Sequence, residues 1–407
     1  MTASATEAAD YLKHLLRAIF WVSFPFGILS FVLPIYGREL GASAVEIGGL
    51  FSVFALVPVV VRPVLGRALD RWGRRPFLLL GLSGYLAAMA VFALSRDVRM
   101  LMLGRFIQGM GQAFLWLTAL TIVADVAPRT GRGLSFGSVD EATNRGAIIG
   151  TTIGFAGLFL LQGRNGAGFR EFWPLLFAAY AVPALLALVT AWRAIPETRP
   201  PEAAAPVRSR PISGQLVALM GIVFATGASS AMVWPLLMVF LGDHLGAGVT
   251  ELVLAYLPAA LIGAVLPSRT GRLADRLGRR TLMAAGLLIG AGASVLIPHL
   301  RTVALLAALW AVESAGYAAS IPAERAFVAD IAGADTRGTS YGLYTFAYFL
   351  GALVGPLAGG WLYDTVDPST PFYLNAAVLA VGAILVWTVL GKRAGAAAVG
   401  AATVEPR

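Results

Sequence analysis

Apolar residues in this chain come in long blocks, broken by short clusters of Arg, Gly, Pro and acidic residues. A bilayer core about 30 Å thick takes about 20 apolar residues in a helix. Twelve such runs lie near 18–37, 46–66, 76–95, 100–126, 133–161, 172–192, 213–241, 250–268, 280–298, 302–329, 339–363 and 372–391. The pattern predicts an all-α membrane protein of twelve transmembrane helices. Residues 193–212, rich in Pro, Ala and charge, read as a flexible cytoplasmic linker. Residues 392–407 read as a disordered tail. The expected organisation is thus a six-helix bundle over 1–192, the linker, a second six-helix bundle over 213–391, and the tail. Lys13, His14 and Arg17 precede the first run with no small-residue cleavage site after it, so that run reads as a retained helix and not a signal peptide.

Composition agrees with lipid as the solvent. Of 407 residues, 58% are hydrophobic and 13% charged, against about 25% charged in soluble proteins. The net charge of +9 does not point to nucleic acid, because the cations sit in short loops between apolar runs. With the N-terminus placed inside, the inner segments hold more than three times as many Lys and Arg as the outer loops, whose cations are Arg38, Arg96, Arg99, Arg164, Arg170 and Arg301. Both termini are therefore expected in the cytoplasm, with the chain in the cell membrane. There is no Cys, hence no disulfide or thiolate site. No HExxH or phosphate-binding loop occurs, and no soluble stretch is large enough to house an enzyme. No cofactor or metal is expected.

The strongest signal is a repeat at a fixed offset of 205 residues. GRALDRWGRRP starts at Gly66 and GRLADRLGRRT at Gly271. Gly41/Gly246, Glu46/Glu251, Asp70/Asp275, Gly111/Gly316, Asp125/Asp330, Gly146/Gly351 and Gly150/Gly355 keep the same offset. Apolar positions would align by chance; loop charges and glycines would not. Six helices per copy insert with the same polarity, which implies a rotation axis along the membrane normal.

At these residues the chain resembles the major facilitator superfamily over nearly its whole length. Gly66, Asp70, Arg71, Gly73, Arg74 and Arg75 match the superfamily's loop signature G-x-L-A-D-R-x-G-R-R, with Ala68 and Leu69 in reversed order. Gly271, Asp275, Arg276, Gly278, Arg279 and Arg280 match it in the second half. The resemblance implies that this loop stabilises one of the alternating states, with Gly66, Asp70, Arg71, Gly73, Arg74, Arg75, Asp275, Arg276 and Arg279 as the conformational switch. A tight Gly-containing loop would bring two helices close, and its Asp could accept from the N-terminus of a neighbouring helix. In the fourth run Leu101, Arg105, Gln108, Gly109, Gly111 and Ala113 resemble the L-x-x-x-R-x-x-Q-G-x-G-x-A motif of proton-coupled drug antiporters. The antiporter motif G-x-x-x-G-P-x-x-G-G is degraded in the fifth run, where Thr151 replaces Pro, and complete in the eleventh as Gly351, Gly355, Pro356, Gly359 and Gly360. Small residues at this spacing also serve helix packing.

Ionisable residues at mid-membrane are costly and mark function by default. Glu313 lies about 16 Å into the tenth run at about 1.5 Å per residue. Glu313, Tyr317, Ser320 and Glu324 share one helical face. Arg105, Gln108 and Gln112 share a face of the fourth run, and the repeat superposes Gln108 on Glu313 and Gln112 on Tyr317. The two stripes are expected to face a central cavity; in the superfamily the first, fourth, seventh and tenth helices line it. Trp116, Phe24, Ser229 and Trp234 complete the candidate substrate cavity. Glu313 is the first candidate for proton coupling, followed by Glu141 and Asp140. A carboxylate in an apolar cavity favours its neutral form and can exchange protons. Glu141 and Arg145 are four residues apart and can pair within the helix, so a structural reading stays open there. Arg105 reads either as an anion-binding group or as packing.

Sparse polar groups in an apolar setting suit an amphiphilic or hydrophobic small molecule. The expected function is proton-coupled efflux of such compounds by alternating access, with substrate, protons and the lipid bilayer as partners and a monomer as the working unit. Two alternatives stand beside it: proton-coupled uptake of a small organic anion with Arg105 as clamp, and a lipid flippase on the same scaffold.

Overall fold

The computed structural model describes residues 5–126, 132–165, 172–198, 213–266, 277–331 and 337–390. The regular structure among these residues is helical throughout. The chain divides into two compact units, residues 1–206 and 207–407.

The first unit contains α1 (Ala5–Val22), α2 (Phe26–Glu39), α3 (Ala44–Trp72), α4 (Arg75–Leu94), α5 (Val98–Val126), α6 (Arg132–Asn165) and α7 (Phe172–Ala194). α5 packs on α3 and α4, α4 on α7, and α6 on α1 and α2. Where the apolar pattern predicts one helix over 18–37, there are two. Pro25 has no N–H to continue the ladder, so α1 stops at Val22 and α2 restarts at Phe26. The Ser23 hydroxyl donates to the Ile19 carbonyl (2.7 Å), and the Phe26 N–H donates to the Ser23 carbonyl (3.1 Å). Together the two pieces make one apolar span over residues 10–39. The break is held by α6: a Cβ at Gly146 would strike the Phe20 carbonyl, and one at Gly150 the Phe24 carbonyl.

The second unit contains α8 (Gly214–Leu245), α9 (Val249–Val265), α10 (Arg279–Leu296), a 3-10 turn at Ile297–His299, α11 (Val303–Ile331), α12 (Arg337–Thr365) and α13 (Thr370–Thr388). α12 lies along α8, and α11 packs on α9 and α10. Gly351 and Gly355 abut the α8 backbone at Ala228, and Gly359 abuts Met232. At Gly355 the obstacle is a carbonyl, which cannot swing aside. Gly355→Ala is therefore expected to destabilise the second unit by about 1–3 kcal/mol, read as a lowered thermal midpoint. Gly342→Ala, on the same helix with open space around the added carbon, should lower nothing and serves as the control.

The sequence repeat reappears as backbone conformation. The positive-φ glycines among the described residues are Gly41 (86°), Gly73 (91°), Gly246 (60°) and Gly278 (87°), two pairs at the repeat offset. The Glu46 carboxylate caps the Ser43 N–H at 2.9 Å, and the Glu251 carboxylate caps the Gly248 N–H at 2.9 Å. Gly81 and Gly111 mark the α4–α5 crossing, as Gly286 and Gly316 mark that of α10 and α11.

Nine stretches among the described residues are long and apolar enough to cross a bilayer; 249–263 and 303–318 are shorter apolar helices. α6 spans 34 residues and carries Asp140, Glu141 and Arg145. The segment read as a linker from residue 193 starts later: α7 runs to Ala194, and Glu197 beyond it is engaged with the start of α4. Residues 199–212 and the tail 392–407 lie outside the described residues.

Candidate functional site

In the first unit, the polar stripe of α5 is built into the helix wall. Arg105 is buried at 5% exposure. Its Nε donates to the Leu50 carbonyl of α3 (2.9 Å), and another guanidinium N–H donates to Gln108 Oε1 (2.7 Å). The guanidinium lies 4.8 Å and 4.4 Å from the ring centres of Phe51 and Phe54. One turn on, Tyr85 of α4 donates to Gln112 Oε1 (2.5 Å) and accepts from Trp116. Trp116 also meets Phe26, the first residue of α2, at 6.1 Å between ring centres. The Phe24 ring packs with Phe20 and Trp21 at the break.

The repeat explains Arg105 further. Its counterpart is Trp310, and the counterpart of Phe51 is Tyr256. Trp310 and Tyr256 pack edge to face with ring centres 5.3 Å apart. The same interhelical contact is thus made by cation on ring in one half and ring on ring in the other, so Arg105 occupies a packing position of the fold. Similarly, Gly109 abuts the Phe54 carbonyl, while its counterpart Ser314 donates to the Ala259 carbonyl (2.7 Å).

In the second unit, Glu313 lies one turn beyond Trp310 on α11 and is half-buried. Among the described residues it makes no hydrogen bond or ion pair. Trp234 of α8 meets Trp310 at 5.9 Å, so α8, α9 and α11 each contribute a ring to one cluster beside the Glu313 turn. Tyr317 follows at i+4 and is hydrogen-bonded to Tyr348 of α12. Ser320 donates to the Tyr317 carbonyl (3.1 Å) and sits against Gly286 of α10, so it serves the helix crossing. Ser229 is buried and donates to the Thr226 carbonyl (3.1 Å). Glu324 is half-buried further along α11.

The signature segment of the first unit is clamped by charge. Gly66 lies inside α3 with open space around it, so it forces no close approach; the turn is made at Gly73. Arg74 is 7% exposed at its side chain and meets two acids: Asp125 of α5 at 2.9 Å and Asp70 at 3.3 Å. It also donates to the Leu69 carbonyl (2.9 Å). The N–H groups that open α4 go to Glu197, not to the signature Asp70: Arg74 N–H to Oε1 at 2.7 Å and Arg75 N–H to Oε2 at 3.1 Å. Arg75 itself donates to the Trp192 carbonyl (2.7 Å). Arg71 lies over the Trp72 ring at 5.6 Å.

Glu197 was hidden in a stretch that reads as linker. An anion at a helix N-terminus satisfies free N–H groups and the dipole together. Glu197→Ala is expected to cost about 1 kcal/mol and to speed hydrogen exchange at the Arg74 and Arg75 amides; unchanged protection there would remove the cap from the account.

Of the remaining candidates, Glu141 and Arg145 pair at 2.6 Å on an exposed face of α6. Asp140 is exposed beside them. Arg279 is the first residue of α10, following the positive-φ Gly278. Asp275 and Arg276 lie outside the described residues.

Two like units of apolar helices on one repeat define a multi-pass membrane protein, and the comparisons name its class. The sequence model of the Major Facilitator Superfamily matches residues 15–266 and 219–405. Multidrug resistance protein 1 of Bacillus subtilis is 24% identical, with 92% of this chain and 95% of that protein covered. The class E tetracycline resistance protein of Escherichia coli is 31% identical over 85% of this chain and 86% of that protein. Among solved structures, a bacterial homologue of the human lysosomal transporter Spinster overlays with TM-score 0.71 at 16% identity, covering 94% of this chain and 95% of that one. The human organic anion transporter MFSD10 overlays with TM-score 0.65 at 19% identity, covering 93% and 99%. The chain belongs to the Major Facilitator Superfamily and is a transporter.

Proposed function

We propose that this transporter exports amphiphilic or hydrophobic small molecules by alternating access, driven by protons that load at Glu313. The observation that carries the reading is a carboxylate on an apolar span, with no hydrogen bond or ion pair among the described residues, one turn from a cluster of three aromatic rings. An acid in that setting is a functional candidate by default, and reversible protonation is the role that suits it to coupling. The rings offer apolar, polarisable contact to a hydrophobic solute. The relatives named for multidrug and tetracycline resistance support efflux. Glu141 and Asp140 are less suited to coupling, because Glu141 is paired and both are exposed on α6. The Lys and Arg bias supports a cytoplasmic location for both termini, with the cell membrane as host and a monomer as the working unit.

Uptake of an organic anion through Arg105 is the weaker reading. That guanidinium is already committed to Leu50, Gln108 and two phenyl rings. The segment around Asp70 and Arg74 is the proposed conformational switch.

Proteoliposomes with an imposed pH gradient and a hydrophobic dye provide the test. Dye movement against its gradient, accompanied by counter-flow of protons, is the expected result. Transport with no accompanying proton flux overturns the coupling.

A further inference from the structure

At the end of the second unit where α8 and α10 finish and α11 begins, His244, Leu245, Pro298, His299, Leu300 and Arg301 line an open cavity of about 470 Å³. It gathers two of the chain's three histidines and one of the few arginines assigned to outer loops. Both imidazoles are held by aromatic neighbours. His244, in the last turn of α8, stacks on Phe240 with ring centres 4.4 Å apart and planes 18° from parallel. His299 closes the 3-10 turn, and its Nε2 shares a hydrogen bond with the Tyr373 hydroxyl at 3.2 Å. Arg301 is exposed and stands two residues before α11, whose Leu305 N–H is capped by the Thr302 hydroxyl at 3.4 Å. Among the described residues, Arg301 and His244 make no hydrogen bond or ion pair. The adjacent carboxylate, Asp243, is engaged by the Tyr363 hydroxyl at 3.2 Å.

These facts fit an anion better than any other ligand. The cavity offers the five N–H donors of a guanidinium and the ring N–H groups of two imidazoles. α11 brings its positive N-terminal end beside Arg301 while α8 and α10 bring negative C-terminal ends, so the side-chain donors and not the helix dipoles carry the attraction. A guanidinium fork matches the paired oxygens of phosphate and carboxylate. We propose that this cavity is an anion-binding site for a compact phosphate or carboxylate group, separate from the Glu313 region. A dissolved anion and the headgroup of an acidic lipid share that chemistry.

The full-length protein in phosphatidylcholine nanodiscs, titrated with inorganic phosphate against chloride at constant ionic strength, tests the first source by thermal shift. Nanodiscs mixed with phosphatidylglycerol, read by lipid retention in native mass spectrometry, test the second. The expected result is a phosphate-dependent rise in midpoint that R301Q/H299Q weakens about tenfold or more, with R301K in between because it keeps charge without the fork. Retention of phosphatidylglycerol that is lost in R301Q/H299Q, without any phosphate shift, assigns the site to a lipid headgroup. No response in either arm, or a response that R301Q/H299Q and R301K leave intact, overturns the proposal. R301K also guards the test, since a variant that folds and binds as wild type removes the guanidinium from the site.

Discussion

Glu313→Gln is expected to reduce pH-gradient-driven transport to background while the protein folds, inserts and still exchanges substrate down its own gradient. Glutamine has nearly the same shape and removes only the ionisable group. Nothing in the packing should object, because Glu313 makes no hydrogen bond or ion pair among the described residues. Its counterpart at the repeat offset is itself a glutamine, Gln108, buried at the matching turn of α5, where Arg105 donates to it. Removing a lone carboxylate from an apolar helix relieves an insertion cost of about 2.5–3.5 kcal/mol for the charged form, so stability should hold or rise. Two assays separate the roles. Gradient-driven uptake into inverted vesicles reports coupling; counterflow without a gradient reports binding and exchange. Loss of the first with retention of the second is the signature of a proton carrier. Retention of both assigns the coupling elsewhere, and loss of both makes Glu313 a substrate-binding or structural group.

The division between what was legible in the chain and what was not follows the range of the interactions. Helix existence is written in local hydropathy, and most observed ends fall within a few residues of the apolar runs; α1 instead begins at Ala5, well before its run, and α3 continues to Trp72, past its own. Gly73 and Gly278 could be paired in advance because each half repeats the same turn. The break at Pro25 was masked by hydropathy, since Ser23 and Pro25 sit in an unbroken apolar run; only the missing N–H of Pro25 announced it. Arg105, Gln108 and Gln112 do share a face, as their spacing requires. Their partners, Leu50 on one neighbouring helix and Tyr85 on another, depend on how three helices pack, and periodicity within one helix carries no such information. Glu197 was missed for the same reason: its role arises only when the end of α7 is brought beside the start of α4. Comparing the halves recovers some of this. Trp310 on Tyr256 and Arg105 on Phe51 are the same interhelical contact in the two halves, an equivalence that one helix read alone does not reveal.

Arg74→Ala is expected to destabilise the first unit by about 3 kcal/mol, the lower end of what breaking a buried ion pair costs. That corresponds to a fall of about 6–12 °C in thermal midpoint for a unit of this size. The loss has two parts. The Leu69 carbonyl would lose a donor at 2.9 Å, and Asp125, 14% exposed at its side chain, would lose the cation that meets it at 2.9 Å. An acid left near the end of a membrane helix without its partner is worse than no pair at all. Lysine should not restore the site, because one ammonium cannot span three acceptors as the guanidinium fork does. Asp70 is different in kind. Its side chain is 72% exposed and 3.3 Å from Arg74, so Asp70→Asn should cost less than about 1 kcal/mol. If Asp70→Asn keeps the wild-type midpoint and still slows transport, its charge acts on the conformational cycle, as a switch requires. If Asp125→Asn rescues the midpoint of Arg74→Ala, the cost lay in the stranded charge; if it does not, the cost lay in the Leu69 carbonyl and the turn at Gly73. An unshifted midpoint in Arg74→Ala would show that the cluster contributes nothing to holding α3, α4 and α5 together.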